Sequence, residues 1–301
     1  MSQSITVIVL TFNEEKHIER CIKSLQKFAR DIVIVDSFST DRTKEIAESL
    51  GARFYQNKWV NYSSQLNWGI TKVPITTDWT MRWDADEYAT DELADEINAK
   101  IGTLPPAIKG VYLKRRVYFM GRWIKRGGYY PTILLRIWRT GHGLCEERWM
   151  DEHIKLTDGD TVLFDKDFID ENLNHLTWWI AKHNSYANRE AVDLFNIKYN
   201  LLASDEAEAL TLDSQEKGKR KLKENFYSRL PLFLRALIYW KYRYFLKLGF
   251  LDGVPGLIWH FLQGFWYRFL VDAKIYQVER YAKDRGVSVK EAIREVLGIE
   301  L

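Results

Sequence analysis

The stretch from Trp79 to Glu87 reads Trp-Thr-Met-Arg-Trp-Asp-Ala-Asp-Glu. An apolar run ends in two carboxylates, Asp84 and Asp86, separated by the small Ala85. Two aspartates this close repel each other unless a cation or a donor-rich ligand lies between them. A hard divalent ion with oxygen ligands, Mn²⁺ or Mg²⁺, satisfies that need and would also hold a diphosphate. Taken alone, Asp-x-Asp fits an acidic surface turn equally well, so the preceding residues decide.

To act together, such residues must be brought to one edge. Ile5 to Leu10 is a continuous apolar run rich in β-branched residues, the pattern of a buried parallel strand. It opens into the polar turn Thr11-Phe12-Asn13-Glu14-Glu15. Ile18, Ile22, Leu25 and Phe28 then mark one face of a helix. Ile32 to Val35 predicts a second buried strand, closed by Asp36, and the loop 37–41 offers N-cap residues for the next helix. Gly51 stands where a helix C′ glycine belongs, before a short strand from Arg53 to Tyr55. This βαβαβ run predicts a parallel α/β sheet with right-handed crossovers. Asn61 to Ile70 reads as a helix, and Trp79 to Trp83 as the strand that delivers the two aspartates. Three strand tips would then meet at the carboxyl edge, where open α/β sheets bind ligands. Unpaired carboxylates are costly in a core, so the set predicts a pocket, with Asp36 accepting from a base N–H or a ribose hydroxyl.

Composition sets the bounds. The chain has 301 residues, 46% hydrophobic and 28% charged, enough for one large α/β domain with an appendage. A net charge of +3 argues against a nucleic-acid binder. Cys21 and Cys145 match no metal or redox spacing, which points to a reducing setting. The first apolar run reads as a strand, not as a signal peptide, so a cytoplasmic location is expected.

Beyond residue 109 the texture changes. Val111 to Phe119 and Ile133 to Trp138 are strand-like and basic, separated by the turn-rich Gly127-Gly128-Tyr129-Tyr130-Pro131. Residues 172–200 predict a helix, and 203–224 an exposed charged helix or a linker. From Leu230 to Tyr276 aromatics and leucines alternate with Lys and Arg. Its longest uncharged run, Gly253 to Tyr267, is shorter than the roughly twenty apolar residues of a membrane span. The pattern suits helices lying in a membrane interface, or else a helical appendage packed on the catalytic domain.

Thr-Phe-Asn-Glu-Glu from Thr11, Val-Asp-Ser-Phe-Ser-Thr-Asp-Arg-Thr from Val35, and Asp-Ala-Asp-Glu from Asp84 together resemble the family 2 inverting glycosyltransferases of GT-A fold. Within them the chain is similar to the lipopolysaccharide-core β-glucosyltransferase type. That likeness is carried by Trp59, Gln65, Asn67 and Gly69, by Leu134 to Arg139, and by Leu230 to Arg235 with Gly249 to Gly253. The resemblance covers almost the whole chain. It implies a Rossmann-like, mostly parallel sheet sandwiched by helices over 1–170; composition adds a helical and charged connector over 171–225 and a membrane-associating helical region over 226–301.

The resemblance also implies roles. Thr11, Asn13, Glu14 and Asp36 would hold the nucleoside, with Gln65, Asn67 and Ala85 in the donor site. Asp84 would contact ribose or metal, and Asp86 would coordinate the Mn²⁺ or Mg²⁺ that offsets charge on the leaving diphosphate. Arg136 or Lys114 would add a positive contact, or else be solvated charges on an edge strand. Inversion requires a base to take the acceptor proton. Asp151 and Glu152 are the candidates, Asp151 first, although relatives show His-Glu where this chain has Asp-Glu-His. His153 is then a possible third metal ligand. The expected reaction moves a hexose, first guess glucose from a UDP-sugar, to a hydroxyl of an envelope glycan or glycolipid at the inner membrane face. Alternative readings are a polyprenyl-phosphate sugar synthase, whose phosphate acceptor needs no base, and a non-catalytic nucleotide-binding membrane protein.

Overall fold

The computed structural model describes residues 4–146, 153–199, 201 and 230–301. The chain divides into two units, residues 1–125 with 129–173, and residues 126–128 with 174–301.

In the first unit the β-branched runs form the expected strands. β1 (Ile5–Thr11) is followed by α1 (Ile18–Leu25), β2 (Asp31–Asp36), α2 (Thr43–Ser49), β3 (Arg53–Gln56), α3 (Tyr62–Lys72) and β4 (Trp79–Asp84). β1 pairs in parallel with β2 on one side and with β4 on the other, and β2 pairs in parallel with β3. The register sets Thr11 opposite Asp36 and Leu10 opposite Asp84, so all three strands end at one edge. Burial on both faces of β1 explains its unbroken apolar run. Val7 and Val9 pack with Ile18, Ile22 and Leu25 of α1, while Ile8 packs with Leu66 of α3.

The second half is mixed. β5 (Glu87–Ala89), α4 (Asp91–Lys100), β6 (Ile108–Phe119), β7 (Arg122–Trp123), β8 (Thr132–Arg139) and β11 (Asp160–Glu171) complete a sheet ordered β3-β2-β1-β4-β8-β6-β11-β5, with β7 on β6. β9 (Gly143–Cys145) and β10 (Ile154–Leu156) form a small antiparallel pair beside it. β8 runs antiparallel to both β4 and β6, so it is an internal strand. Its register against β6 shifts between Ile137, opposite Val111, and Leu135, opposite Tyr112. Arg136 is therefore the extra residue of a β-bulge, a device that re-aims a side chain.

Caps follow local chemistry. Asn61 accepts from the Ser64 N–H, and Thr90 from the Leu93 N–H. The loop 37–41 acts differently from expectation: α2 has no side-chain cap at its N-cap residue Arg42, and Asp41 accepts instead from the Thr43 N–H at 3.0 Å. Gly51 does adopt the left-handed conformation expected of it, with φ +80°.

The second unit is helical: α5 (Leu176–Tyr199), α6 (Leu234–Lys241), α7 (Gly253–Trp259), α8 (Tyr267–Arg285) and α9 (Val289–Leu297), with π-helical turns at Tyr242–Leu246 and His260–Trp266. Ala187, Ala191 and Phe195 of α5 pack with Val271, Ile275 and Val278 of α8 and with Ile293 of α9. Arg235 of α6 is buried and pairs with the buried Asp272 of α8, its Nε 2.7 Å from the carboxylate. The segment 203–224 and the carboxylates Asp151 and Glu152 lie outside the described residues.

Candidate active site

The tips of β1 and β2 are tied to each other by side chains. Asp36 is fully buried. Its carboxylate accepts from Thr11 Oγ1 at 2.8 Å, from the Ser39 N–H at 2.8 Å and from Gln56 Nε2 at 3.4 Å. Asn13, at φ +56°, accepts from the Thr40 N–H through its side chain at 2.8 Å and donates its own N–H to Ser39 Oγ. Asn tolerates this left-handed conformation better than other non-glycine residues. Phe38, at φ +62°, has no such excuse and marks a strained loop tip. Phe12 and Phe38 are both more than half exposed on these tips.

Glu14 is held from two sides. Its N–H donates to Thr43 Oγ1 at 2.7 Å, and its Oε2 lies 2.6 Å from Nδ1 of the buried His17. The Leu173 N–H donates to His17 Nε2 at 2.8 Å. A backbone N–H can only donate, so Nε2 carries no proton, and Nδ1 donates to Glu14. This locks a neutral imidazole in one tautomer beneath the first loop.

At the tip of β4 the two aspartates differ. Asp84 Oδ1 accepts from Tyr62 Oη of α3 at 2.6 Å. Its Oδ2 lies 3.6 Å from Arg136 and 3.8 Å from Arg82. Burial acts to raise its pKa, but Arg82, Arg136 and the Tyr62 hydroxyl outweigh burial and hold the carboxyl down at about 2. Asp86 Oδ2 accepts from Asn172 Nδ2 at 3.0 Å, while its carbonyl accepts from Arg20 at 3.2 Å. Ala85 is buried in the core under α1. A small residue here lets the strand tip carry its two acids outward.

Behind Asp84 lies a buried ion pair. Arg136 and Glu87 are 2% and 1% exposed and meet at 2.6 Å. The other Glu87 oxygen accepts the Asp84 N–H at 3.0 Å, and Arg136 stacks 4.9 Å from the Phe168 ring centroid. Nε and Nη1 of Arg136 are buried without a hydrogen-bond partner among the described residues. Burial pushes the Glu87 carboxyl up to about 8 against the pull of Arg136, with Asp84 and Asp170 adding to the rise. Burial also pushes Asp170 up to about 6 against Arg115, which lies 3.3 Å away, with Asp86 and Asp84 reinforcing it.

Several expected roles change. Arg136 is not a solvated charge on an edge strand: the bulge in an internal strand turns it into the acidic cluster. Gln65 is buried and donates to Ser37 Oγ and the Asn57 carbonyl while accepting from Asn57 Nδ2. Asn67 pairs with the backbone of Cys145 through two hydrogen bonds of 2.8 Å. Both amides are spent on holding loops in place. Among the described residues, no three His, Cys, Asp or Glu side chains form a group that would hold a metal ion. His153 borders β10, where its N–H donates to Glu146. Tyr62, Arg82, Glu87, Asp170 and His17 were not foreseen. The alternation of Arg82 with Asp84 along β4 was the one available signal, since it puts both on the same face.

A family model described as Glycosyl transferase family 2 matches residues 6–171, more than half of the chain. An uncharacterized glycosyltransferase of Rickettsia bellii (strain RML369-C) is 40% identical over 97 residues, 32% of this chain and 32% of that one, so the match spans about a third of that relative. Another, of Rickettsia prowazekii (strain Madrid E), is 26% identical over 87% of this chain and 85% of that one. The lipopolysaccharide core biosynthesis glycosyltransferase LpsC of Rhizobium meliloti (strain 1021) is 27% identical over 96% of this chain and 97% of its own length. Among solved structures, glucosyl-3-phosphoglycerate synthase from Mycobacterium tuberculosis aligns at 22% identity and a TM-score of 0.32, covering 38% of this chain and 44% of that one. The family match over residues 6–171, the stretch that includes the converging β1, β2 and β4 tips, makes this chain a member of glycosyltransferase family 2.

Proposed function

We propose that the chain is a metal-dependent inverting transferase that moves a hexose from a nucleotide-sugar, a UDP-sugar first, to a hydroxyl of a cell-envelope glycan. The end-to-end similarity to a relative named for lipopolysaccharide core biosynthesis supports the acceptor class. The observation that carries the site is Asp84, a carboxylate kept ionised at the common edge of three parallel strands. The exposed rings of Phe12 and Phe38 offer stacking faces to a base, and the β1–β2 tips frame the ribose.

Asp84 and Asp86 present hard oxygen donors, the chemistry that Mn²⁺ or Mg²⁺ takes, and these two residues would hold the ion. When bound, such an ion supplies charge to offset the departing diphosphate. Arg136, whose buried Nε and Nη1 have no hydrogen-bond partner among the described residues, supplies permanent positive charge behind them. Glu87 positions the Asp84 backbone and Arg136 together. Asp151, with Glu152 second, is proposed to take the acceptor proton. The protein would work as a peripheral enzyme on the inner face of the cell membrane.

The test is Asp84→Asn. With Mn²⁺ present, the parent chain should hydrolyse or transfer from one member of a UDP-, GDP- and dTDP-sugar panel. The variant should lose at least about a hundredfold in rate, the scale of one electrostatic contact at a transition state. An unchanged rate in a folded Asp84→Asn protein would remove the site assignment.

A further inference from the structure

The second unit leaves a concentrated apolar surface at one place, the turn that joins the arm Leu234–Leu246 to the helices beginning at Gly249. Phe245, Leu246, Leu248, Phe250, Leu251 and Val254 are all more than two-fifths exposed there, with Leu246 at 76% and Val254 at 69%. No single described helix is long and apolar enough to cross a membrane, but the two segments, bent by 68°, pass that test as a pair. The first arm is about 20 Å long at 1.5 Å per residue, short of a hydrocarbon core of roughly 30 Å. It can enter one leaflet and return.

Two independent features fit a bilayer rather than a second protein surface. Backbone groups inside lipid must be satisfied by the protein itself. Several at this turn are: the Lys247 N–H donates to the Tyr242 carbonyl, Leu248 N–H to the Phe245 carbonyl, Leu251 N–H to the Leu248 carbonyl, and the Lys247 carbonyl accepts the Gly127 N–H, all at 2.9–3.2 Å. Charge is one-sided as well. Between residues 230 and 271 the only acidic residue is Asp252. It is 2% exposed and turned inward onto the Arg126 N–H at 2.9 Å. Lys241 and Lys247 stay exposed beside the apolar tip. Residues 230–271 therefore offer apolar and cationic groups with no exposed carboxylate of their own, which matches an anionic lipid headgroup layer.

We infer that residues 242–257 form a wedge that inserts into one leaflet of an anionic bilayer, tip first at Leu246 and Val254. This deepens the membrane-surface part of the function proposed above and does not depend on the transferase chemistry.

Flotation of the full chain with phosphatidylglycerol–phosphatidylcholine vesicles tests it, with pure phosphatidylcholine as the second arm. The parent should partition to the anionic vesicles and much less to the neutral ones. Leu246→Glu with Val254→Glu should lower partitioning on the order of a hundredfold, since two apolar side chains lose their burial. In case those charges disturb folding, a polarity-sensitive dye at Val254→Cys should shift to the blue with anionic vesicles, while one at the distant, exposed Lys290→Cys should not. Equal flotation of parent and double variant, equal shifts at both dye sites, or a stable dimer that hides the tip without lipid would each overturn the wedge. Donor turnover is read separately, so loss of the wedge leaves the transferase assignment standing, and the reverse.

Discussion

Substituting Glu87 by Gln tests the buried cluster most directly, because the cluster sets two large effects against each other. Desolvating an ion costs several kcal/mol. A neighbouring guanidinium returns a similar amount, about 4 kcal/mol at 4 Å for an effective dielectric of about 20. Burial exceeds the pull of Arg136 and, with Asp84 and Asp170 adding to the rise, pushes the Glu87 carboxyl up from 4.5 to about 8. A raised pKa means that the folded state binds the proton more tightly than the unfolded chain does. The stabilisation is therefore complete below about 4.5 and is lost as pH rises through about 8. At 1.36 kcal/mol per unit, the parent should lose on the order of 3 kcal/mol from this group between roughly pH 5 and pH 8. Glu87→Gln keeps the shape and removes the titration. The stability difference between variant and parent should move by that amount in favour of the variant as pH rises. Urea denaturation read by hydrogen exchange on β4 and β8 peptides reports the first unit alone. A difference that stays constant across the range would refute the reasoning. It would mean that the 2.6 Å contact with Arg136 keeps Glu87 ionised throughout.

Other consequences can be checked alongside it. Asp170, raised to about 6, also stabilises at low pH and loses that contribution as pH rises from 3.8 through about 6. Asp170→Asn should flatten the stability profile in that window, measured by the same exchange assay. Tyr62→Phe removes the 2.6 Å bond to Asp84, should cost about 1.5–3 kcal/mol, and should lift the acid limb of the stability profile from its low position near pH 2. Asn67→Ala removes both bonds to the Cys145 backbone, should cost about 2 kcal/mol, and should speed amide exchange in β9.

The strand pattern was legible for a plain reason. Runs such as Ile5 to Leu10 are β-branched and continuous because both faces of β1 are buried, and periodicity reports burial directly. Acidic residues at the ends of such runs could be placed at one edge without coordinates, since parallel pairing aligns strand tips. The intramolecular partners of the amides were not legible, for the opposite reason. Gln65 and Asn67 stand in a motif, but a motif does not reveal whether a side chain turns to a ligand or to its own chain.

By itself, the sequence determined the parallel β1–β2–β4 frame, the helices between its strands, the family, and the acids Asp36, Asp84 and Asp86 at the strand ends. The frame, the helices and the strand-end acids follow from local periodicity and residue type, while the family rests on the likeness of whole motifs and on the family match over residues 6–171. Only the tertiary structure decided what each acid meets. Arg136 reaches Glu87 through a bulge measured against a neighbouring strand, Asn67 clamps Cys145 far along the chain, and Asp170 joins Asp84 from another strand. A carboxylate's charge depends on its surroundings, and those surroundings come from residues that only folding brings near.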